Sequence, residues 1–407
     1  MRLTVVSPFL DRQHGTELCL IEQIERLAQL DGWSIDIYSQ RVEQLEGVCT
    51  SSNSSAARPA GIVWHKISDI PGPHLLKYLW WFVSNQWQRH RDRSSGRIRP
   101  DLIYSAGINC LDADVIVVHI LFHEFYERVR SELAPLRVPL WSWPRIVHRR
   151  IYYRLIMLLE KKIYRDPRVS LVAVSGLIAN KLEGCFGRTG VTIIPNAVDT
   201  TRFTPEARQA NRAKSRRQFH FAEDELVALL IGNDWKNKGL DVLLHAASQL
   251  RDVPLRLLIV GGDDPELYTT IIVRFGLEAR VRFAGPSADV LQFYAAADLY
   301  VGPSLEDSFG LPIAEAMACG LPVIASVRAG ASELIRHGEN GLLLQQPTDA
   351  WELATLLRQL LADKALCQRL GHAAAHFVQR NCSWDQNAAR TREFLEDALR
   401  QKNCCRF

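Results

Sequence analysis

Residues 304–320 read SLEDSFGLPIAEAMACG, and the fold turns on where its loop gives way to a helix. Pro312 suits the first turn of a helix, because its missing N–H would have no intrahelical partner there. Gly320 suits a helix end, just before the apolar run LPVIAS at 321–326. The stretch therefore predicts loop, short helix, turn and strand. Asp307 falls in the loop and Glu315 about a turn and a half inside the helix, so the two carboxylates do not share a helical face. The N–H groups of Phe309, Gly310 and Leu311 point out of the helix start, which suits a phosphate. A carboxylate just inside the helix can accept two hydrogen bonds from a vicinal diol such as a ribose. A plainer reading stands beside this one, in which Glu315 complements the helix dipole and Asp307 caps the loop.

Outward from this stretch, short apolar runs alternate with helical patterns along the chain. RLTVVSP, WSIDIYS, DLIYSAG, DVIVVH, VSLVAVS, VTIIPN, LVALLIG, LRLLIVGG, VRFAG, DLYVGPS and LPVIAS read as strands. Continuous apolar strands between helices imply parallel sheets covered on both faces. At 407 residues the chain is long enough for two such domains. The polar, basic run at 203–223 reads as a linker between an N-terminal domain over 1–202 and a C-terminal one over 224–383. Two doubly wound, Rossmann-like domains place ligands at the carboxyl ends of their strands, and the cleft between domains is the expected active site. VCTSSNSSAARPAG (48–61) reads as a mobile surface loop.

Composition narrows the class. Hydrophobic residues make up 47% and charged ones 23%, as in a globular protein. The nine cysteines show no metal-ligand spacing and fit a reducing compartment. The opening MRLTVVSPFL is too soon interrupted for a signal peptide, and no run of eighteen apolar residues offers a membrane span. The closing CCRF is a poor prenylation box, since Arg406 stands where an aliphatic residue is wanted. Residues 1–190 hold 25 Lys/Arg against 19 Asp/Glu, and two stretches, 73–100 and 141–168, carry that excess.

Four further residues join the candidates. Lys236 and Lys238 precede Gly239 and a helix start in LLIGNDWKNKGLDVLLHA (229–246), where ammonium charge and helix dipole act on one anion. The loop lacks the Walker pattern, and surface lysines are commonly just solvated. Gly15 lies between the first strand and the first helix, where it would let backbone approach a phosphate or serve as a simple turn. His119 ends DVIVVH at the cleft side of its strand, with His123 as a competitor.

The stretches VTIIPNAVDTTRFTPE, VRFAGPSADVLQFYAAADLYVGPSLEDSFGLPIAEAMACGLPVIAS and ASELIRHGENGLLL resemble the retaining glycosyltransferases of family 4, which have the GT-B fold. The resemblance covers nearly the whole chain and is strongest from about 169 to 345. It implies transfer of a hexosyl unit from a nucleotide-diphosphate sugar to an acceptor hydroxyl, with retention and without a metal or other cofactor. The family's Glu-x7-Glu motif stands here as Asp307 and Glu315. By that likeness Glu315 binds the nucleotide ribose, and Asp307, one methylene short, approaches the transferred sugar, with Glu306 as a substitute. Lys238 holds phosphate with Phe309, Gly310 and Leu311. Asn233 stands where the family has arginine, and Lys236 is the candidate replacement. Gly15 matches the glycine loop, His119 the histidine that contacts the donor sugar, and Phe283 in VRFAG lies near the base. The last helix, about 384–401, would cross back onto the N-terminal domain.

Lys238, Lys236 and the N–H groups at 309–311 would stabilise charge on the leaving diphosphate. A glycosidase needs both carboxylates flanking one glycosidic bond, which a ribose-binding Glu315 does not allow. A nucleotide-sugar epimerase and a binding protein without turnover remain the rivals. The aromatic, arginine-rich stretch LLKYLWWFVSNQWQRHRDR implies a peripheral contact with anionic membrane, at the cytoplasmic face, and a lipid-linked or envelope-polysaccharide glycan as acceptor. Equally, Trp80, Trp81 and Trp87 could be core residues. No nucleic-acid recognition fold accompanies the basic residues.

Overall fold

The structure, a computed structural model, describes residues 1–45, 48–50, 61–130 and 143–404. The chain divides into two compact units, Met1–Ile194 with Asn387–Phe407, and Pro195–Gln386.

The first unit holds β1 (Arg2–Val6), β2 (Phe9–Leu10), β3 (Ser34–Ser39), β4 (Arg41–Val42), β5 (Val48–Thr50), β6 (Ile62–Lys66), β7 (Leu102–Ala106), β8 (Val115–Val118), β9 (Ser170–Ala173) and β10 (Thr192–Ile193). Eight of these form one parallel sheet in the order β10-β9-β8-β7-β1-β3-β6-β5, and β2 pairs with β4 apart from it. The central strands are buried on both faces, as their unbroken apolar sequences require: Leu3, Val5, Val115 and Ile116 are all inaccessible. The final helix, Trp384–Cys404, begins in the second unit, and from Asn387 onward it belongs to the first. There Asn387 accepts a 2.8 Å bond from Gln23 Nε2, and Lys402 reaches Asp114 at 2.8 Å.

The second unit holds β11 (Leu226–Ile231), β12 (Leu255–Val260), β13 (Val281–Ala284), β14 (Leu299–Gly302), β15 (Val323–Ser326) and β16 (Leu342–Leu344), ordered β13-β12-β11-β14-β15-β16 and parallel throughout. The chain winds one way from β11 to β13 and the other from β14 to β16. The order therefore reverses between β11 and β14, and the loops leaving these two strands diverge around a crevice. Leu230, Leu257, Ile259, Leu243, Leu353 and Leu357 form part of its core.

Several expectations need correction. Residues 203–223 are no linker: Pro205–Gln218 form a helix inside the second unit, and the first unit ends at Ile194 rather than 202. The helix is capped by the Thr204 hydroxyl, which accepts from Ala207 N–H at 3.0 Å. Arg208, Arg212 and Arg216 are tied down, while Arg217 is exposed. Arg216 is wholly buried, 3.1 Å from Asp298 and 3.2 Å from the Ala296 carbonyl, and it also donates to Ala222 O. Arg212 meets the other Asp298 oxygen at 2.6 Å. Residues 48–50, read as loop, are a strand on the sheet edge, while 51–60 lie outside the described residues, as do 405–407 of CCRF. The run at 62–66 was not read as a strand, because Trp64 and His65 interrupt its apolar character.

Removing the Arg216 side chain takes one donor from Asp298, which keeps Arg212 and the Val227 N–H, and leaves the carbonyls of Ala296, Ala222 and Glu225 without theirs. Arg216→Ala is expected to lower stability by about 3–5 kcal/mol in urea denaturation. A change below about 1 kcal/mol would show that the helix is merely appended.

Candidate active site

The crevice of the second sheet is walled by the two diverging loops, residues 232–239 after β11 and 303–310 after β14. Glycine fixes their spacing. Gly239 has φ +79°, and a Cβ there would stand 2.2 Å from the Pro303 carbonyl oxygen. No other residue allows this approach without moving the backbone. Across the contact Leu305 N–H donates to Asn237 O at 2.8 Å, and Asn237 Nδ2 donates to Glu306 O at 2.7 Å.

The Lys238 side chain crosses this seam and pairs with Asp307. Its aliphatic stem lies over Gly232, where an added Cβ would be 2.7 Å from Lys238 Cε. Asp307 is also held by its backbone: its N–H donates to Arg328 O at 3.0 Å and its carbonyl accepts from Gly330 N–H at 3.0 Å.

The helix after this loop spans Leu311–Ala318, with Gly310 as its N-cap at φ +88° and Pro312 in the first turn. No side chain caps it. The Phe309 carbonyl accepts from Ala331 N–H at 2.6 Å. At the other end Gly320 (φ +70°) terminates the helix, and Arg208 Nε donates to Cys319 O at 2.9 Å, placing a cation on the negative end of the dipole. The helix misread as linker thus supports the helix that carries Glu315.

Glu315 is half-buried, and the hydroxyl of Tyr294 donates to its Oε2 at 2.6 Å. Burial raises its pKa, and the Tyr294 bond and the charge of Arg202 draw it partly back. The second carboxylate oxygen has no hydrogen bond of this kind among the described residues. Tyr294 and Arg202 were missed in the sequence, where nothing sets FYAAA apart from ordinary core.

The structure thus brings Lys238, Asp307, Phe309, Gly310, Leu311 and Glu315 to one crevice. Phe283, on β13, packs on the buried Trp235 with ring centroids 5.0 Å apart. Asn233 does not act as a cation: its Oδ1 accepts from Gly262 N–H at 2.9 Å and ties the loop after β12 to the loop after β11. Lys236 is exposed, and its carbonyl accepts from Gly239 N–H at 3.2 Å.

Gly15 and His119 lie in the first unit. Gly15 opens the helix Gly15–Ala28 after a turn in which buried Asp11 accepts from Gln13 and His14 N–H and meets His14 Nδ1 at 2.8 Å. His119 follows β8 directly, and burial pushes its imidazole down to about 4, so it is neutral at neutral pH. His123, its competitor, is committed elsewhere. Its Nδ1 and main-chain N–H both meet Glu160, which also accepts from Phe122 N–H at 2.7 Å and so caps the helix Phe122–Val129. Among the described residues no group of three or more His, Cys, Asp or Glu is arranged to hold a metal ion.

Residues 211–377 match the family described as Glycosyl transferases group 1. The D-inositol 3-phosphate glycosyltransferases of Streptomyces bingchenggensis and Nocardia farcinica are each 34% identical to this chain, over 224 and 256 residues. Those alignments cover 52% and 59% of this chain and 48% and 55% of the relatives, so the chain spans about half their length. Over most of the chain the fold is shared with WaaG, a glycosyltransferase involved in lipopolysaccharide biosynthesis (TM-score 0.70, 17% identity, 92% of this chain and 95% of that one). It is shared likewise with HepE of Anabaena in complex with UDP and glucose (TM-score 0.68, 21% identity, 98% of this chain and 100% of that one). At such identities the likeness is one of fold: two α/β units with parallel sheets, the GT-B fold.

A raised carboxyl pKa means that the folded state holds the Glu315 proton more tightly than the unfolded chain does. That contribution is complete below the ordinary value near 4.5 and is lost as pH rises through the folded value. Ionised Glu315 therefore costs stability at neutral pH. Glu315→Gln is expected to unfold at higher urea than wild type at pH 7.5, with the difference shrinking at pH 4.5. An unchanged midpoint at both pH values would mean the carboxylate is not desolvated.

Proposed function

We propose that this protein is a retaining glycosyltransferase that moves a hexosyl unit from a nucleotide-diphosphate sugar to an acceptor hydroxyl. The observation that carries this reading is the meeting of Lys238, an uncapped helix N-terminus and Glu315 in the crevice between β11 and β14. A diphosphate needs positive charge and N–H donors, and a ribose needs an acceptor for two vicinal hydroxyls. Both requirements are met by the two joined loops and the first two turns of the helix that follows the second.

In the reaction the bond from the anomeric carbon to the diphosphate oxygen breaks and its electron pair leaves with the diphosphate, while the acceptor hydroxyl oxygen bonds to that carbon and gives its proton to the departing diphosphate. Lys238 and the N–H groups of Phe309, Gly310 and Leu311 oppose the growing negative charge. Asp307 holds the Lys238 ammonium beside the sugar position and is itself the carboxylate nearest to it. Glu315 anchors the ribose, with Tyr294 fixing one of its oxygens and leaving the other for the diol. Neutral His119 is assigned to a sugar hydroxyl, for which an uncharged imidazole can donate or accept. Because fixed cationic and N–H groups supply the charge, we assign no metal to the donor site. As acceptor we retain a lipid-linked or polysaccharide glycan, and add the phosphorylated inositol that the names of the relatives supply.

Isothermal titration with UDP, GDP and ADP, followed by turnover of the matching sugar donors with lipid-linked glycan and inositol phosphate acceptors in EDTA, tests the reading. Acceptor-dependent nucleotide release is expected. Interconversion of donors without acceptor would instead identify an epimerase, and binding without turnover a degenerate relative. Lys238→Ala and Glu315→Ala are each expected to lower transfer about 10- to 1,000-fold, as loss of one positioned charge or hydrogen bond does. Wild-type turnover in either variant would remove the donor site from this crevice.

A further inference from the structure

A helix on a protein surface normally turns its apolar side inward. The helix His74–Ser94 in the first unit does the reverse along one stripe. Leu76, Leu79, Trp80, Val83 and Trp87 recur at three- and four-residue spacing and all face outward, with Val83 62% and Trp87 63% exposed. The opposite side carries Trp81 and Phe82 but also the buried polar residues Asn85, Arg89 and Asp92. Those polar groups are satisfied internally: Arg89 pairs with Asp112 at 2.8 Å, Asn85 donates to Asn109 O at 3.1 Å, and Asp92 accepts from Tyr38 OH at 2.8 Å. The inward side is thus locked in place; on the outward stripe Trp80 Nε1 donates to Ser68 O at 2.9 Å, while Leu76, Val83 and Trp87 stay more than half exposed.

The neighbouring helix Trp143–Tyr164 repeats the pattern. It packs on the first through Tyr152, whose ring lies 5.7 Å from that of Tyr78, and through His148, which accepts from Leu75 N–H at 3.2 Å. Its own outward side carries Trp143, Val147, Ile151 and Leu158, the last 66% exposed. Along the same side run Arg154, Lys161 and Lys162, all exposed. The only acids in the two helices, Asp92 and Glu160, are buried, so neither helix shows water a carboxylate. Exposed tryptophans, aliphatic residues and cations without one exposed acid fit a surface that is apolar beneath and anionic above.

We propose that the outward sides of helices His74–Ser94 and Trp143–Tyr164 dock on an anionic lipid bilayer. Trp80, Val83 and Trp87 enter the boundary between headgroups and acyl chains, while Arg154, Lys161 and Lys162 meet lipid phosphates. No helix of the described residues is long and apolar enough to cross a membrane, so the contact is peripheral. A second copy of this chain is the competing occupant, but two copies would set the same unpaired cations against each other. The proposal does not rest on the donor site, and its test uses neither nucleotide nor turnover.

The test is co-flotation of the full chain with vesicles of phosphatidylcholine alone and with 30% phosphatidylglycerol, at low and high salt, with circular dichroism of each variant. The expected result is partitioning that requires the anionic lipid and weakens in salt. Val83→Ser with Trp87→Ser is expected to lower it at least tenfold, and each of Arg154→Glu and Lys161→Glu by more than the roughly fivefold that follows from removing one cation. The charge variants keep the test decisive if the double apolar variant misfolds. Absence of binding to anionic vesicles, or binding untouched by all these variants, overturns the proposal. So does a dimer in sedimentation that is lost in Val83→Ser with Trp87→Ser, which would assign the stripe to self-association.

Discussion

The carbonyl oxygen of Pro303 stands where a side chain at position 239 would begin, 2.2 Å from the site of its Cβ. Everything in the second unit's crevice depends on that approach. A parallel sheet whose winding reverses must send the loops of two adjacent strands to opposite faces, and they separate unless something joins them. Here the joint is backbone to backbone, with Leu305 and Asn237 bonded across it. Lys238 then has a fixed base from which to reach Asp307. If position 239 carried a Cβ, the seam would open and the cation would lose its register with the helix start at Leu311.

That joint also explains why the two carboxylates of the 304–320 stretch behave differently. Asp307 is paired to a cation and bonded through its backbone to residues 328 and 330. Glu315 meets only a neutral phenol and feels Arg202 at a distance, so burial dominates and holds its proton tighter. One group is bonded to a cation within a fixed seam. The other is an acceptor with one phenol bond, and burial opposes its ionisation. A pair built to exchange a proton would be arranged as neighbours with opposed pKa shifts. These two carboxylates have separate partners and separate tasks.

The sequence reveals this fold where burial is two-sided. Strands such as LVALLI and LRLLIV are apolar throughout because helices cover both faces, and that signal survives in a single sequence. IVWHK at the sheet margin carries no such signal, since only Ile62 and His65 of its five residues are buried. The run at 203–223 misleads for a different reason. Arg212 and Arg216 look solvated until Asp298, more than eighty residues away, supplies their partner. The candidate site divides along the same line. The helix start and its glycines are local and legible from Pro312 and Gly320. The Lys238–Asp307 pair and the Tyr294 hydroxyl on Glu315 are not, because each joins residues that only the sheet order makes neighbours.

The same reasoning separates the tryptophans of the 73–100 stretch, which the sequence leaves open between core and interface. Spacing alone puts Trp80, Trp81 and Trp87 on two sides of one helix, and only packing says which side faces in. Trp81 is 2% exposed and donates to Asn109 at 3.2 Å, so its indole N–H is satisfied inside. Trp87 faces out, with the Arg91 guanidinium 5.7 Å from its ring centroid. A buried polar set of Asn85, Arg89 and Asp92 is what forces this orientation. Rotating the helix to bury Trp87 and Val83 would expose some apolar area of Trp81 and strip an arginine and an aspartate of their partners. Arg89 to the half-exposed Asp112, Asn85 to Asn109 and Tyr38 to Asp92 would all be lost together, at about 1–3 kcal/mol each. This polar set holds the orientation, and the apolar stripe is left on the outside as its consequence.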